Sequence, residues 1–252
     1  SQVKIVDIGH DNFDSACEAL ELGSVDMAVV DMAQLIRMEK NDENLPYGVV
    51  ISGVLKRGDS RYVMIRKRHA KDLIENAVVA TDSYSKTERI KHMYDGISCV
   101  VETDIRKCIE KLDASECDAV FVLLEDIKAA RLHNSFLYRY TIMDYGECVP
   151  VHGEGVYAML TKGKKEAVRT ARELSHKSTA ECFEIEDDII SRVMQNVYVK
   201  TCDVYARISS DRLEIYADVT GNRGRIRVNE RGTFVNKNLI ITKIVDRISK
   251  SM

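Results

Sequence analysis

The residues of this chain that could do chemistry fall into thiols, guanidinium–carboxylate groups and hydroxyls placed ahead of helices. The seven cysteines are Cys17, Cys99, Cys108, Cys117, Cys148, Cys182 and Cys202. They include no C-x-x-C pair and their number is odd, so buried free thiols in a reducing compartment explain them better than disulfides or a zinc site. The six histidines are scattered without ligand spacing, and no metal centre is expected. Arg57, Asp59 and Arg61 sit between two strand patterns and read either as an anion site or as an ion-pair corner. Ser83 and the amides after Thr81 read either as an anion site at a helix start or as a simple cap. Gly153-Glu154-Gly155 is equally a backbone contact to a ligand and a tight turn. Lys162, Lys164 and Lys165 read as a solvated charge run.

The elements that must position these groups follow from periodicity. Residues 3–8 are a short strand, and Asp11 or Asn12 caps a helix with Phe13, Ala16, Cys17 and Leu20 on one face. Strands follow at 25–32, 49–55 and 62–65, suggesting an α/β unit with a largely parallel core. A basic stretch, Arg66 to Lys71, reads as a linker. Strands at 77–81, 97–101 and 119–124 alternate with helices that start near Asp82-Ser83 and Asp104, and residues 127–132 are helical. Residues 156–160 form a strand that returns to the first unit. A helix ends near Leu174-Ser175-His176, and Ser178-x-x-Glu181 is a capping-box pattern before Ile185, Ile189 and Val193. The remainder reads as antiparallel strands, with Gly221-Asn222-Arg223-Gly224 as a hairpin turn.

The fold class read from this order is α/β. Domain 1 takes 1–67 with 147–162, domain 2 takes 70–146, and a small C-terminal α+β domain with an antiparallel sheet takes 163–252. The 252 residues suffice for such cores. A net charge of −3 gives no basic balance that calls for nucleic acid, and no apolar run approaches the ~20 residues that span a bilayer. With no charged-then-apolar leader, a cytoplasmic monomer is expected.

One stretch has a recognisable order: Val149-Pro150, Gly153-x-Gly155, Leu174-x-His176, then a helix and a strand ending in Tyr205-Ala206. Together with Leu45-Pro46-x-Gly48, Arg57-x-Asp59-x-Arg61, residues 79–86 and residues 111–132, it resembles the porphobilinogen deaminase (hydroxymethylbilane synthase) family along nearly the whole chain. The resemblance implies two periplasmic-binding-protein-like α/β domains plus the small third domain. It also implies a ligand cleft that Gln34, Ser83 and Lys86 face. Family members condense four porphobilinogen molecules in tetrapyrrole (heme and cobalamin) biosynthesis, on a dipyrromethane cofactor held by a cysteine thioether. An aspartate assists, and arginines hold the acidic side chains, a task that suits the planar guanidinium fork.

Placed on this sequence, the family's catalytic aspartate falls on Gln34, and its paired arginines fall on Ser85 and Lys86 beside a retained Ser83. Arg57 and Arg61 match the family, while Glu102 and Cys108 replace two further substrate-holding arginines. The cofactor cysteine falls on Tyr198, with Cys202 four residues beyond on the same strand face. The family's N-terminal strand has no counterpart here. The implied function is therefore a porphobilinogen deaminase-like transferase that polymerises porphobilinogen if active. Its rivals are a catalytically inactive homologue that binds a small pyrrole, another anionic ligand or a pathway partner, and a decayed product. No cofactor is expected, because the attachment cysteine is absent.

Overall fold

The structure is a computed structural model that describes residues 4–6, 13–41, 43–70, 76–133 and 135–252. Residues 4–6 carry no regular structure; the rest of the expected 3–8 strand, the Asp11 and Asn12 caps and Lys71 lie outside the described residues.

Helix α1 (Phe13–Glu21) buries Phe13, Ala16, Cys17 and Leu20, the face that the apolar spacing demands. Strand β1 (Met27–Asp31) runs straight into α2 (Met32–Lys40), whose start is fixed by Asp31. The Asp31 carboxylate accepts the backbone N–H of Ala33 at 2.7 Å and of Gln34 at 3.2 Å. Strands β2 (Val49–Val54), β3 (Tyr62–Lys67) and β4 (Val78–Thr81) follow, then α3 (Tyr84–Met93), β5 (Ser98–Val101) and α4 (Ile105–Asp113). Next come β6 (Ala119–Leu123), α5 (Leu124–Ala129), β7 (Tyr138–Ile142) and β8 (Tyr157–Lys162). The chain ends with α6 (Lys165–Leu174), α7 (Lys177–Met194), β9 (Val199–Ser209), β10 (Arg212–Gly221), β11 (Gly224–Thr233) and α8 (Lys237–Ser251).

Two compact units result, residues 1–57 with 152–184, and residues 58–151 with 185–252. In the first, a three-stranded sheet has the order β1-β8-β2. Both pairings are antiparallel, not parallel as the alternation of elements suggested. The reason is that β8 arrives from more than a hundred residues away and inserts between β1 and β2, so no helical crossover sets the strand direction. Ala28, Val30, Val54, Ala158 and Leu160 of this sheet pack with the apolar face of α1. Gly53 in β2 lets α6 come close, since a Cβ there would lie 2.8 Å from the Ala171 carbonyl oxygen.

In the second unit, a five-stranded sheet has the order β5-β4-β6-β3-β7. β4 pairs in parallel with β5 and β6, and β3 is antiparallel to β6 and β7. The central strand β6 is buried at all five positions, and helices cover both faces, so its sequence AVFVL has no polar alternation. The basic stretch read as a linker is partly this sheet, since β3 extends through Arg66 and Lys67. The same unit holds an antiparallel sheet in the order β11-β10-β9. Gly221 pairs with Gly224 across the Asn222-Arg223 turn, as the dipeptide pattern required. Helix α8, which the reading in terms of strands left out, buries Ile240, Ile241, Ile244 and Ile248. The capping box is also corrected: α7 begins at Lys177, and the His176 ring nitrogen, not Ser178, receives the Thr179 N–H at 3.2 Å.

Candidate functional site

The candidate site is the junction where β4 turns into α3. Thr81 ends β4 fully buried, and its Oγ1 has no hydrogen-bond partner. Its carbonyl accepts the Glu102 N–H at 2.8 Å, which brings the loop after β5 alongside. Ser83 occupies the N-cap of α3 with extended backbone, φ −152° and ψ 153°, yet its hydroxyl caps nothing. It meets the Ser85 hydroxyl at 3.1 Å instead. The first-turn amides of α3 thus lack a side-chain acceptor at the cap, and the helix dipole favours an anion there.

Charge around this junction is largely internal. Lys86 is 4% exposed and donates to both carboxylate oxygens of Asp82, at 2.6 and 2.7 Å. Its ammonium therefore neutralises its own helix start instead of projecting as a clamp. Glu102 lies at the end of β5, half-buried, and its carboxylate accepts the Asp104 N–H at 3.4 Å. Cys108, wholly buried in α4, donates from Sγ to the Glu102 carbonyl at 3.1 Å. Burial pushes its thiol up to about 12, with the Asp82 and Glu102 carboxylates adding to the effect. Ser83, Lys86, Glu102 and Cys108 are thus brought together at the carboxyl end of β4 and β5, where open α/β sheets bind ligands.

The other predicted positions belong to other elements. Gln34 is half-buried in the first turn of α2, its N–H held by Asp31. Arg57 donates its backbone N–H to the Thr179 hydroxyl at 3.0 Å. Arg61 forms a two-bond fork with Asp59, at 2.9 and 2.7 Å, and Lys128 reaches the same carboxylate at 3.3 Å. Tyr198 is 56% exposed just before β9, and Cys202 is buried within β9 opposite Val219. Sequence reasoning missed Arg89, which lies one turn beyond Lys86 in α3 and pairs with Asp203 and Asp218. The only signal was its spacing from Lys86 on one helix face. Among the described residues, no cluster of three or more His, Cys, Asp or Glu side chains could hold a metal ion. Among them too, no helix is long and apolar enough to cross a membrane.

The fold is mixed α/β, and Ser83, Lys86, Glu102 and Cys108 gather around a strand-to-helix turn. The sequence pattern of "Porphobilinogen deaminase, dipyromethane cofactor binding domain" matches residues 9–170, and the chain belongs to the porphobilinogen deaminase family. A porphobilinogen deaminase of Clostridium acetobutylicum is 22% identical over 218 residues, covering 81% of this chain and 74% of that protein. One of Chlorobium luteolum is 24% identical over 192 residues, covering 75% of this chain and 60% of that protein. A probable porphobilinogen deaminase of Picrophilus torridus is 23% identical, covering 67% of this chain and 61% of that protein. Among solved structures, an ABC transporter from Parabacteroides distasonis superposes with a TM-score of 0.46 at 15% identity, covering 78% of this chain and 69% of that one. That superposition is too loose to carry an argument about function.

The family match corrects the expectation of no cofactor. The matched domain is by description one that binds dipyromethane, so this chain carries the domain with which the family holds its cofactor. Tyr198, on which the attachment cysteine falls, and Cys202 four residues beyond it both lie outside the matched residues. Tyr198 offers a phenol oxygen, and the sheet directs Cys202 into the core with 6% exposure.

Proposed function

We propose that this protein is a porphobilinogen deaminase-like protein of tetrapyrrole metabolism that binds a carboxylate-bearing pyrrole at the β4–α3 junction and turns it over poorly or not at all. The observation that carries the reading is the buried Thr81 Oγ1 without a partner, beside a helix N-cap whose serine caps nothing. Buried polar groups are nearly always satisfied, so an unmatched hydroxyl next to unoccupied helix amides favours an acceptor from outside the protein. A carboxylate supplies that acceptor.

The case against efficient polymerisation is electrostatic. A growing chain of acetate and propionate groups needs several cations, whereas Lys86 is held by Asp82 and Glu102 adds a carboxylate. Two like charges about 4 Å apart repel by about 1 kcal/mol even in water. Family membership favours the opposite reading, an active deaminase, and one experiment separates the two. Porphobilinogen is titrated by calorimetry, and hydroxymethylbilane is followed in a coupled assay. Weak saturable binding, lost in Thr81→Val and tightened in Glu102→Arg, supports the site. Binding that Thr81→Val leaves unchanged overturns the site, and steady hydroxymethylbilane formation overturns the low-turnover reading.

A further inference from the structure

The second unit carries a basic, aromatic depression that the site above does not use. It lies where β3 ends and β7 begins, with a volume of about 590 Å³, within the usual range for small-molecule sites. β4 runs parallel to β6, and β6 runs antiparallel to β3. The carboxyl end of β3 therefore lies at the opposite end of the sheet from Thr81, and the two places are distinct.

Arg68 and Arg139 bring two guanidinium groups to this depression, and both side chains are anchored by backbone carbonyls. Arg68 donates to the Phe136 carbonyl at 3.1 Å and Arg139 to the Ala70 carbonyl at 3.3 Å. Such bonds orient the planar forks while leaving Arg68 further donors for an oxyanion. The Tyr138 and Tyr140 rings meet edge to face at 6.3 Å, and the Phe136 ring is 85% exposed at the rim. Tyr140 donates its hydroxyl to the Leu132 carbonyl at 2.5 Å and Tyr138 to Asp113 at 2.7 Å, so both rings are held in place. The Asp113 carboxylate is engaged by that hydroxyl. His133 adds a buried Nδ1 that has no hydrogen-bond partner. A buried ring nitrogen left unmatched is uncommon, and the His133 residue is part of the lining of this depression.

We propose that this depression binds a planar aromatic phosphate of mononucleotide size. Arg68 and Arg139 take the phosphate, the ring stacks on the exposed Phe136 face, and His133 Nδ1 bonds a polar atom of the ligand. Two guanidinium forks favour a phosphate, which offers three acceptor oxygens, and the aromatic rim selects a molecule with a π-face.

The test is calorimetric titration of the full chain with AMP, inorganic phosphate and adenosine. AMP should saturate, and phosphate and adenosine should each bind at least about tenfold more weakly, since each keeps only part of the contacts. Arg68→Ala and His133→Ala, checked for folding by circular dichroism, should each weaken AMP at least about tenfold. Absence of AMP saturation at millimolar concentration overturns the proposal. So does undiminished AMP binding by the folded Arg68→Ala and His133→Ala proteins, or phosphate binding as tight as AMP.

Discussion

The guanidinium of Arg89 in α3 donates to the carboxylate of Asp218 in β10 at 3.1 Å, across 129 residues of sequence. The same arginine pairs with Asp203 of β9, and Arg225 of β11 pairs with Asp218. Arg89 and Asp218 are almost wholly buried, so their charges depend on this network of Arg89, Asp203, Asp218 and Arg225 for compensation. Removal of one partner leaves a charge in a poorly solvated place. Arg89→Ala should therefore destabilise the protein by about 3–5 kcal/mol, and Arg89→Ala with Asp218→Ala by less than the sum of the singles. Urea unfolding of the four proteins measures both.

Asp59 predicts a pH dependence. The side-chain hydrogen bond from Arg61, helped by its backbone N–H and by Lys128, holds the carboxyl at about 2 against a drive upward from burial. The folded value lies below the unfolded one of about 3.9, so its contribution to stability is complete above that value and is lost as pH falls through about 2. The stability difference between the protein and Asp59→Asn should shrink over that window. In Arg61→Ala, the Asp59 carboxyl resonance should titrate near its ordinary value in an NMR pH series.

Gly153 separates a backbone requirement from a steric one. Its φ is +85°, and an added Cβ would lie 2.6 Å from Ile36 Cδ1 and 3.0 Å from the Ala33 nitrogen. Gly23 has a similar φ of +68° but nothing within 4 Å. Gly23→Ala should cost about 1 kcal/mol from the left-handed backbone alone, and Gly153→Ala about 1–3 kcal/mol more, read from thermal melts.

Cys108 should be silent in the native state. Its thiol is wholly buried, bonded to the Glu102 carbonyl, and pushed up to about 12. At pH 8 almost none of it is thiolate, the form that reacts. Cys108→Ser should leave the native Ellman trace unchanged and remove one equivalent only after unfolding in guanidinium. A missing equivalent in the native trace would mean that α4 opens readily.

Local signals carried much of the site. Asp104 is read as a cap from its type and position, and its carboxylate does take the Arg106 N–H at 2.9 Å. Ser83 is likewise legible as the start of α3. What the sequence could not show is that Lys86, a plausible clamp for a ligand carboxylate, is bound to Asp82. Both residues are four apart on any helix, but which solvent-free environment they enter depends on the strands beside them.

By itself, the sequence determined the helix faces, most strand positions, the Gly221–Gly224 hairpin and the family, because these rest on spacing, turn chemistry and collinear motifs within short reach. It did not determine strand direction around β8, the enlistment of Arg66 and Lys67 into β3, or the partners of Arg89. Those depend on segments about seventy to more than a hundred residues apart meeting in space. Only the tertiary structure decides whether a buried charge such as Arg89 is compensated, and whether a hydroxyl such as Thr81 Oγ1 finds a hydrogen-bond partner. The physical reason is that burial raises the cost of an unmatched polar group, and burial is a property of the packed chain rather than of its local pattern.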